Sequence, residues 1–179
     1  MKGIIFNLLE EVITEQLGPD VWDNILDQAG LTGAYTSLGS YPDAEIASLV
    51  ETASSTLGKS PAEILRWFGR TAMPNLARRF PMFFEAHKSS RDFILSVNSI
   101  IHPEVRKLYA GAGCPHFQFR EGTEGALVIG YQSARQLCDL AHGFIEGAGD
   151  QFGEQVAVTH LACMKHGDPN CQISIRWGF

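Results

Sequence analysis

SRDFILSVNSIIHPEVRKLY, residues 90–109, decides how the rest of the chain is read. Phe93, Val97, Ile100, Ile101 and Leu108 recur at helical spacing and form one apolar stripe. Leu95, His102 and Tyr109 form a second line at heptad spacing on nearly the opposite face. A helix apolar on two faces is expected inside a protein, packed from both sides. It is also expected to be the longest helix, with a kink just after His102, where Pro103 removes a backbone donor.

Upstream of this stretch the sequence reads as helices. Residues 3–17 carry Ile4, Ile5, Leu8, Leu9, Val12, Ile13 and Leu17 at helical spacing, and Gly18-Pro19 stops them. Shorter helices are expected over 21–29 and 44–57, separated by a glycine-rich loop. Ser60-Pro61-Ala62-Glu63 combines an N-cap, a first-turn proline and a capping box, so it opens a fourth helix, expected to end near Pro74. A broken helical stretch follows over 75–87, punctuated by Pro81.

Downstream the texture changes. Residues 116–121 and 126–131 alternate around Gly122 and Gly125 and read as a hairpin. A helix over 133–152 and strands over 156–161 and 171–177 complete the chain. The expected fold class is α+β: a helical N-terminal half packed on a small C-terminal antiparallel sheet with one inserted helix. The 179 residues suit a single domain, residues 1–179, with a helical part over 1–62 and a mixed part over 63–179.

Composition narrows the function. Hydrophobic residues make up 45% of the chain and charged residues 19%, so disorder is not expected. The net charge of −6 offers no footprint for nucleic acid. Glu10 and Glu11 interrupt the only signal-like run, and no segment is apolar enough to span a membrane. A cytoplasmic location is expected, where the four cysteines are better suited to metal than to disulfides.

Three groups of residues could carry chemistry. Tyr131-Gln132-Ser133-Ala134-Arg135 lies at a strand-to-helix junction. On extended chain Tyr131, Ser133 and Arg135 point the same way and make a clamp for carboxylates. Taken alone, the pattern reads equally as a polar strand end. His102 sits on an inner helix face, where a lone histidine is more often a satisfied core residue than a ligand. A neutral imidazole in a dry pocket is also the common axial ligand of haem iron, and a carboxylate clamp is what haem propionates need. Cys138, His160, Cys163 and Cys171 have the donor types of a closed, structural zinc site. Three inert buried cysteines beside a surface histidine would look the same. His116, His142 and His166 read as surface polar residues.

Taken in order, the motifs resemble those of the haem-nitric oxide/oxygen-binding family, H-NOX. The likeness runs from Met1-Lys2-Gly3-Ile4-Ile5 through Ile101-His102-Pro103-Glu104-Val105 and Lys107-Leu108-Tyr109. It continues through Tyr131-x-Ser133-x-Arg135 to Gly143-Phe144-Ile145-Glu146-Gly147. The resemblance implies haem b, with His102 as the axial ligand, Tyr131, Ser133 and Arg135 on the propionates, and Ile5, Pro115, Leu140 and Phe144 against the macrocycle. Pro103 departs from the commoner residue at its position. A subset of the family carries zinc ligands where Cys138, His160, Cys163 and Cys171 stand.

Family members that bind oxygen place a distal tyrosine where this chain has Leu140. Counting along the chain puts the supporting tryptophan and asparagine positions at Leu9 and Pro74, neither of which donates a side-chain hydrogen bond. The implied function is a nitric oxide sensor that also binds carbon monoxide, excludes oxygen and signals to a separate protein, a histidine kinase or a cyclic-di-nucleotide enzyme. No distal acid–base group can be placed, so no enzymatic role is expected. Two alternatives remain from the residues: a thiolate ligand from Cys114-Pro115, and a non-haem, zinc-containing small-molecule binding domain.

Overall fold

The structure is a computed structural model that describes residues 1–178. Helices α1 (Gly3–Leu17), α2 (Pro19–Ala29) and α3 (Asp43–Leu57) form the N-terminal part. Helix α4 (Pro61–Arg79) follows, then α5 (Pro81–Glu85), α6 (Ser90–Ser96), a π-helical segment (Val97–Ile101) and α7 (His102–Leu108). Strands β1 (His116–Glu121) and β2 (Leu127–Gln132), helix α8 (Cys138–Gln151), and strands β3 (Val156–Ala162) and β4 (Cys171–Trp177) complete the chain. The four strands are antiparallel in the order β1-β2-β4-β3. The expected α+β class is therefore observed. No helix of the described residues is long and apolar enough to cross a membrane.

The capping box at Ser60 forms as its sequence requires: Glu63 N donates to Ser60 Oγ at 3.3 Å and Ser60 N donates to Glu63 Oε2 at 2.8 Å. The helix it starts does not stop at Pro74 but runs to Arg79, and its 19 residues make it the longest single helix. Packing explains the difference. Helix α4 crosses α8 so closely that a Cβ at Gly143 would lie 2.1 Å from the Arg66 carbonyl, and one at Gly147 would lie 2.6 Å from that of Arg70. Arg70 is the residue whose carbonyl Pro74 leaves without its usual helical partner. Two forked ion pairs flank the crossing, Arg66 on Glu146 at 2.7 and 2.5 Å and Arg70 on Asp150 at 2.5 and 2.9 Å. Tertiary contact here outweighs the local penalty of proline.

The 90–109 stretch also departs from expectation. The backbone stays helical through His102 and Pro103, and the helix widens before them. The His102 N–H reaches back five residues to the Val97 carbonyl, and a regular helix resumes with Pro103 in its first turn. Proline there needs no helical acceptor, so the widened turn absorbs the strain that a straight helix would put on Ser99. Leu95, Ile100 and Leu108 are exposed, so the run is not packed on two faces. Phe93, Ile94, Val97, Ile101, His102, Val105 and Tyr109 instead form one inward face.

Two apolar cores result. Phe6, Leu8, Ile13, Ile25, Leu49, Ile64 and Phe68 fill the first, between the N-terminal helices. Phe84, Phe93, Leu127, Ile129, Ile173 and Ile175 fill the second, between α5, α6 and the sheet.

Candidate functional site

Between the two cores lies a cavity of about 510 Å³. That is within the usual size range of a small-molecule or cofactor site. Ile4 and Ile5 of α1, Met73 and Leu76 of α4, and Phe83 and Phe84 of α5 form part of its wall. Phe117, Ile129 and Tyr131 of the sheet and Leu140, Ala141, Phe144 and Ile145 of α8 form another part. The inward face of the 90–109 run and the loop bearing Cys114 and Pro115 form a third part.

His102 lines this cavity, 5.6 Å ring to ring from Phe117. Burial is the main cause that pushes its pKa down to about 4, and the Arg106 charge adds to it. The backbone of Pro115 opposes the shift without a hydrogen bond of good geometry, and Nδ1 is buried with no partner. A neutral imidazole on the wall of an apolar cavity keeps a lone pair free for a metal. Asn98 anchors its helix by a reciprocal pair: its Nδ2 donates to the Phe117 carbonyl at 2.5 Å, and Phe117 N donates to its Oδ1 at 3.1 Å. Sequence reasoning did not find Asn98, because its partner lies across the loop on β1.

Tyr131, Ser133 and Arg135 all line the same cavity, but not through strand alternation. The strand ends at Gln132, and residues 133–136 form a turn that ends on Gln136 at φ 51°. Helix α8 begins at Cys138 rather than at Ser133. The turn does what extended chain was expected to do. Ser133 Oγ accepts from Arg135 N at 3.2 Å, and the Tyr131 hydroxyl accepts from Leu137 N at 3.2 Å. Burial pushes the Tyr131 hydroxyl up, so it remains a neutral phenol. Arg135 donates from Nε to Asp43 at 2.8 Å and from Nη1 to the Gly113 carbonyl at 2.8 Å. Asp43 also accepts from the Met1 amine at 2.6 Å.

These residues fit a flat apolar macrocycle with a metal at its centre and carboxylates at one edge. Ile5, Pro115, Leu140 and Phe144 are on the wall, as the resemblance implied. The two supporting distal positions are not. Leu9 is buried in the first core and Pro74 is exposed. On α4 the cavity face is Met73 and Leu76, and Pro74 is rotated away from it by one helical step. Cys114 also lines the cavity, and burial raises its thiol pKa.

Behind α8, Cys138, Cys163 and Cys171 come together and are buried. Their sulfurs are 3.7 Å apart for Cys138–Cys163 and 3.8 Å for Cys163–Cys171. The edge of a zinc–thiolate tetrahedron with bonds of about 2.3 Å is about 3.8 Å. His160 is not in that cluster; it groups with Cys138 and Asp139. His142 is buried rather than on the surface; its ring lies 5.2 Å from that of His160 on β3.

The profile of the haem-NO-binding family matches residues 2–160. Solved structures agree. An H-NOX protein from S. oneidensis in the Fe(II)NO state is 29% identical, with a TM-score of 0.92 and full coverage of both chains. The H-NOX domain from Shewanella oneidensis in the Fe(II)CO state is 29% identical, with a TM-score of 0.89 and 99% of each chain covered. An unliganded Fe(II) H-NOX protein from K. algicida is 25% identical, with a TM-score of 0.88, covering 100% of this chain and 97% of that one. With its α+β fold and its cavity in place, this chain belongs to the haem-NO-binding, or H-NOX, family.

Proposed function

We propose that the chain is a haem-based nitric oxide sensor that also takes carbon monoxide, excludes oxygen and signals to a separate protein. The observation that carries this reading is a neutral His102 on the wall of an apolar cavity that also receives Tyr131, Ser133 and Arg135. Haem b, when bound, would supply a ferrous iron able to take a diatomic gas. His102 is the axial ligand in this reading. Arg135, Ser133 and Tyr131 hold the propionates, with Arg135 contributing charge-assisted hydrogen bonds. Ile5, Pro115, Leu140 and Phe144 contact the macrocycle.

Discrimination against oxygen follows from what the wall lacks. Ile5, Met73, Leu140, Phe144 and Ile145 offer no side-chain hydrogen-bond donor to a polarised dioxygen. Nitric oxide and carbon monoxide need little such help. The Fe(II)NO and Fe(II)CO states of the relatives support the choice of ligands.

The chain carries no catalytic chemistry of its own in this reading. Residues 1–62 and 63–179 act as two bodies whose relative position a cytoplasmic histidine kinase or cyclic-di-nucleotide enzyme reads. The Arg135–Asp43 pair joins the bodies beside the cavity. Cys138, Cys163 and Cys171 would hold a structural zinc ion, as their sulfur spacing supports, and His160, already beside Cys138, would turn toward it as the fourth ligand.

Absorption spectroscopy of the purified ferrous protein tests the function. Distinct nitric oxide and carbon monoxide complexes, with no stable complex in air, are expected. A stable oxygen complex would overturn the proposed discrimination, and a protein that takes up no haem would overturn the function itself.

A further inference from the structure

The π-helical segment Val97–Ile101 stands directly before His102, and one of its side chains is bound to another element. Asn98 takes both backbone polar groups of Phe117: its Nδ2 donates to the carbonyl at 2.5 Å, and its Oδ1 accepts from the N–H at 3.1 Å. Strand β1 is at the edge of the sheet, so those groups have no strand partner on that side. Phe117 stands opposite Tyr131 in the β1–β2 register. Its ring lies 5.6 Å from that of His102 and 6.0 Å from that of Tyr131. Asn98 itself is off the cavity wall, so it acts on the site only through its helix and through Phe117. Widened turns inside helices are uncommon and recur at functional sites. This one is pinned twice, by the His102 N–H on the Val97 carbonyl and by Asn98 on β1.

We propose that Asn98 is a positioning residue for the gas response: by fixing the π segment to the edge of the sheet, it keeps His102 from following the iron when nitric oxide binds. This rests on the reading of His102 as the haem ligand. A histidine that ligates a metal is usually oriented by a hydrogen bond from its other ring nitrogen. His102 Nδ1 has no such partner, so its direction is set by its helix and by the Phe117 ring, and Asn98 holds both. The Asn98 amide is planar and uses one donor and one acceptor at once, which fixes angle as well as distance. Nitric oxide brings an unpaired electron into an orbital that is antibonding along the iron axis, so it weakens the bond on the opposite side; carbon monoxide brings none. A histidine on a compliant helix follows the metal and keeps that bond. One held to a sheet does not, and the weakened bond gives way.

Resonance Raman spectra of the iron–histidine stretch in the unliganded ferrous protein, and absorption spectra of its nitric oxide complex, test this in the wild type, Asn98→Ala and Asn98→Asp. Asn98→Asp keeps the size and the acceptor but loses the donor to the Phe117 carbonyl. In both variants the stretch should move to higher frequency, because His102 can settle on the iron. The ratio of five- to six-coordinate nitric oxide complex should fall by about threefold or more, a factor within the net worth of one hydrogen bond. The carbon monoxide complex should keep its wild-type spectrum, which a general loss of structure would not allow. Wild-type stretch and ratio in either variant overturn the proposal and leave His102 standing as the ligand. A wild type with no iron–histidine stretch overturns the ligand assignment and the proposal with it. Amide exchange in the wild type needs no variant: the Phe117 N–H is expected to exchange slowly in both the carbon monoxide and the nitric oxide complexes, and fast exchange in either overturns the anchor.

Discussion

The Arg135 guanidinium and the Asp43 carboxylate are joined at 2.8 Å, tying the turn before α8 to the first turn of α3. With Nε on Asp43 and Nη1 on the Gly113 carbonyl, Nη2 has no hydrogen-bond partner among the described residues. Asp43 thus orients Arg135 so that one edge of its fork remains for a carboxylate in the cavity. Asp43→Asn should speed haem dissociation a few-fold while changing folding stability by less than about 1 kcal/mol, because the pair is half-exposed. Haem transfer to apomyoglobin and urea unfolding measure the two effects. An unchanged dissociation rate would show that Arg135 does not depend on Asp43.

The same carboxylate sets an acid limit. The Met1 amine, with Arg135, holds Asp43 below the usual carboxylate range. A depressed folded-state pKa contributes stability above the unfolded value of about 3.9 and loses it as pH falls through the folded one. The Asp43→Asn chain should therefore differ most from the wild type above about pH 4 and converge with it as pH falls through the lowered folded-state value. Denaturant unfolding as a function of pH checks this.

His102 acts in a higher window. Its pKa of about 4 lies below the unfolded value of about 6.5. Between those values the unfolded chain binds a proton that the folded chain refuses, so stability falls as the solution is acidified. Replacing His102 with Leu in the haem-free protein should flatten that slope by an amount on the order of 2 kcal/mol across the window. An unaltered slope would mean that His102 is not buried neutral.

Gly143 is the tightest point of the α4–α8 crossing. Gly143→Ala places a methyl 2.1 Å from the Arg66 backbone, which cannot yield as a side chain end could. The variant should lose about 1–3 kcal/mol of stability and shift the haem spectrum, because α8 must move and Phe144 with it. Thermal unfolding and absorption spectra measure both. Wild-type values in each would mean that the helices separate freely.

Much of this was legible along the chain, and what was not shares one cause. The Ser60 cap and the hairpin depend on neighbours in sequence and form as read, and the strands begin and end within one residue of the expected bounds. Pro74 was misread because the crossing with α8, not local propensity, decides where α4 ends. The 90–109 run was assigned a regular period, but the π segment advances its register, so Ile100 and Leu108 turn outward and Val105 turns in. On α4, counting along the chain put Pro74 at a distal position, whereas Met73 faces the cavity. Tyr131, Ser133 and Arg135 reach the cavity by a turn at Gln136 rather than along extended chain. Asn98, Asp43 and His142 carried no local signal, since each finds its partner on a distant element.

Everything functional in this account depends on His102 as the haem ligand, and the ferrous absorption spectrum of His102→Gly tests it most directly. The variant is expected to lose haem, or to hold it with a wild-type-like spectrum only when imidazole is added. An unchanged ferrous spectrum without imidazole would contradict the assignment and point to another ligand on the cavity wall, with Cys114 the first to examine.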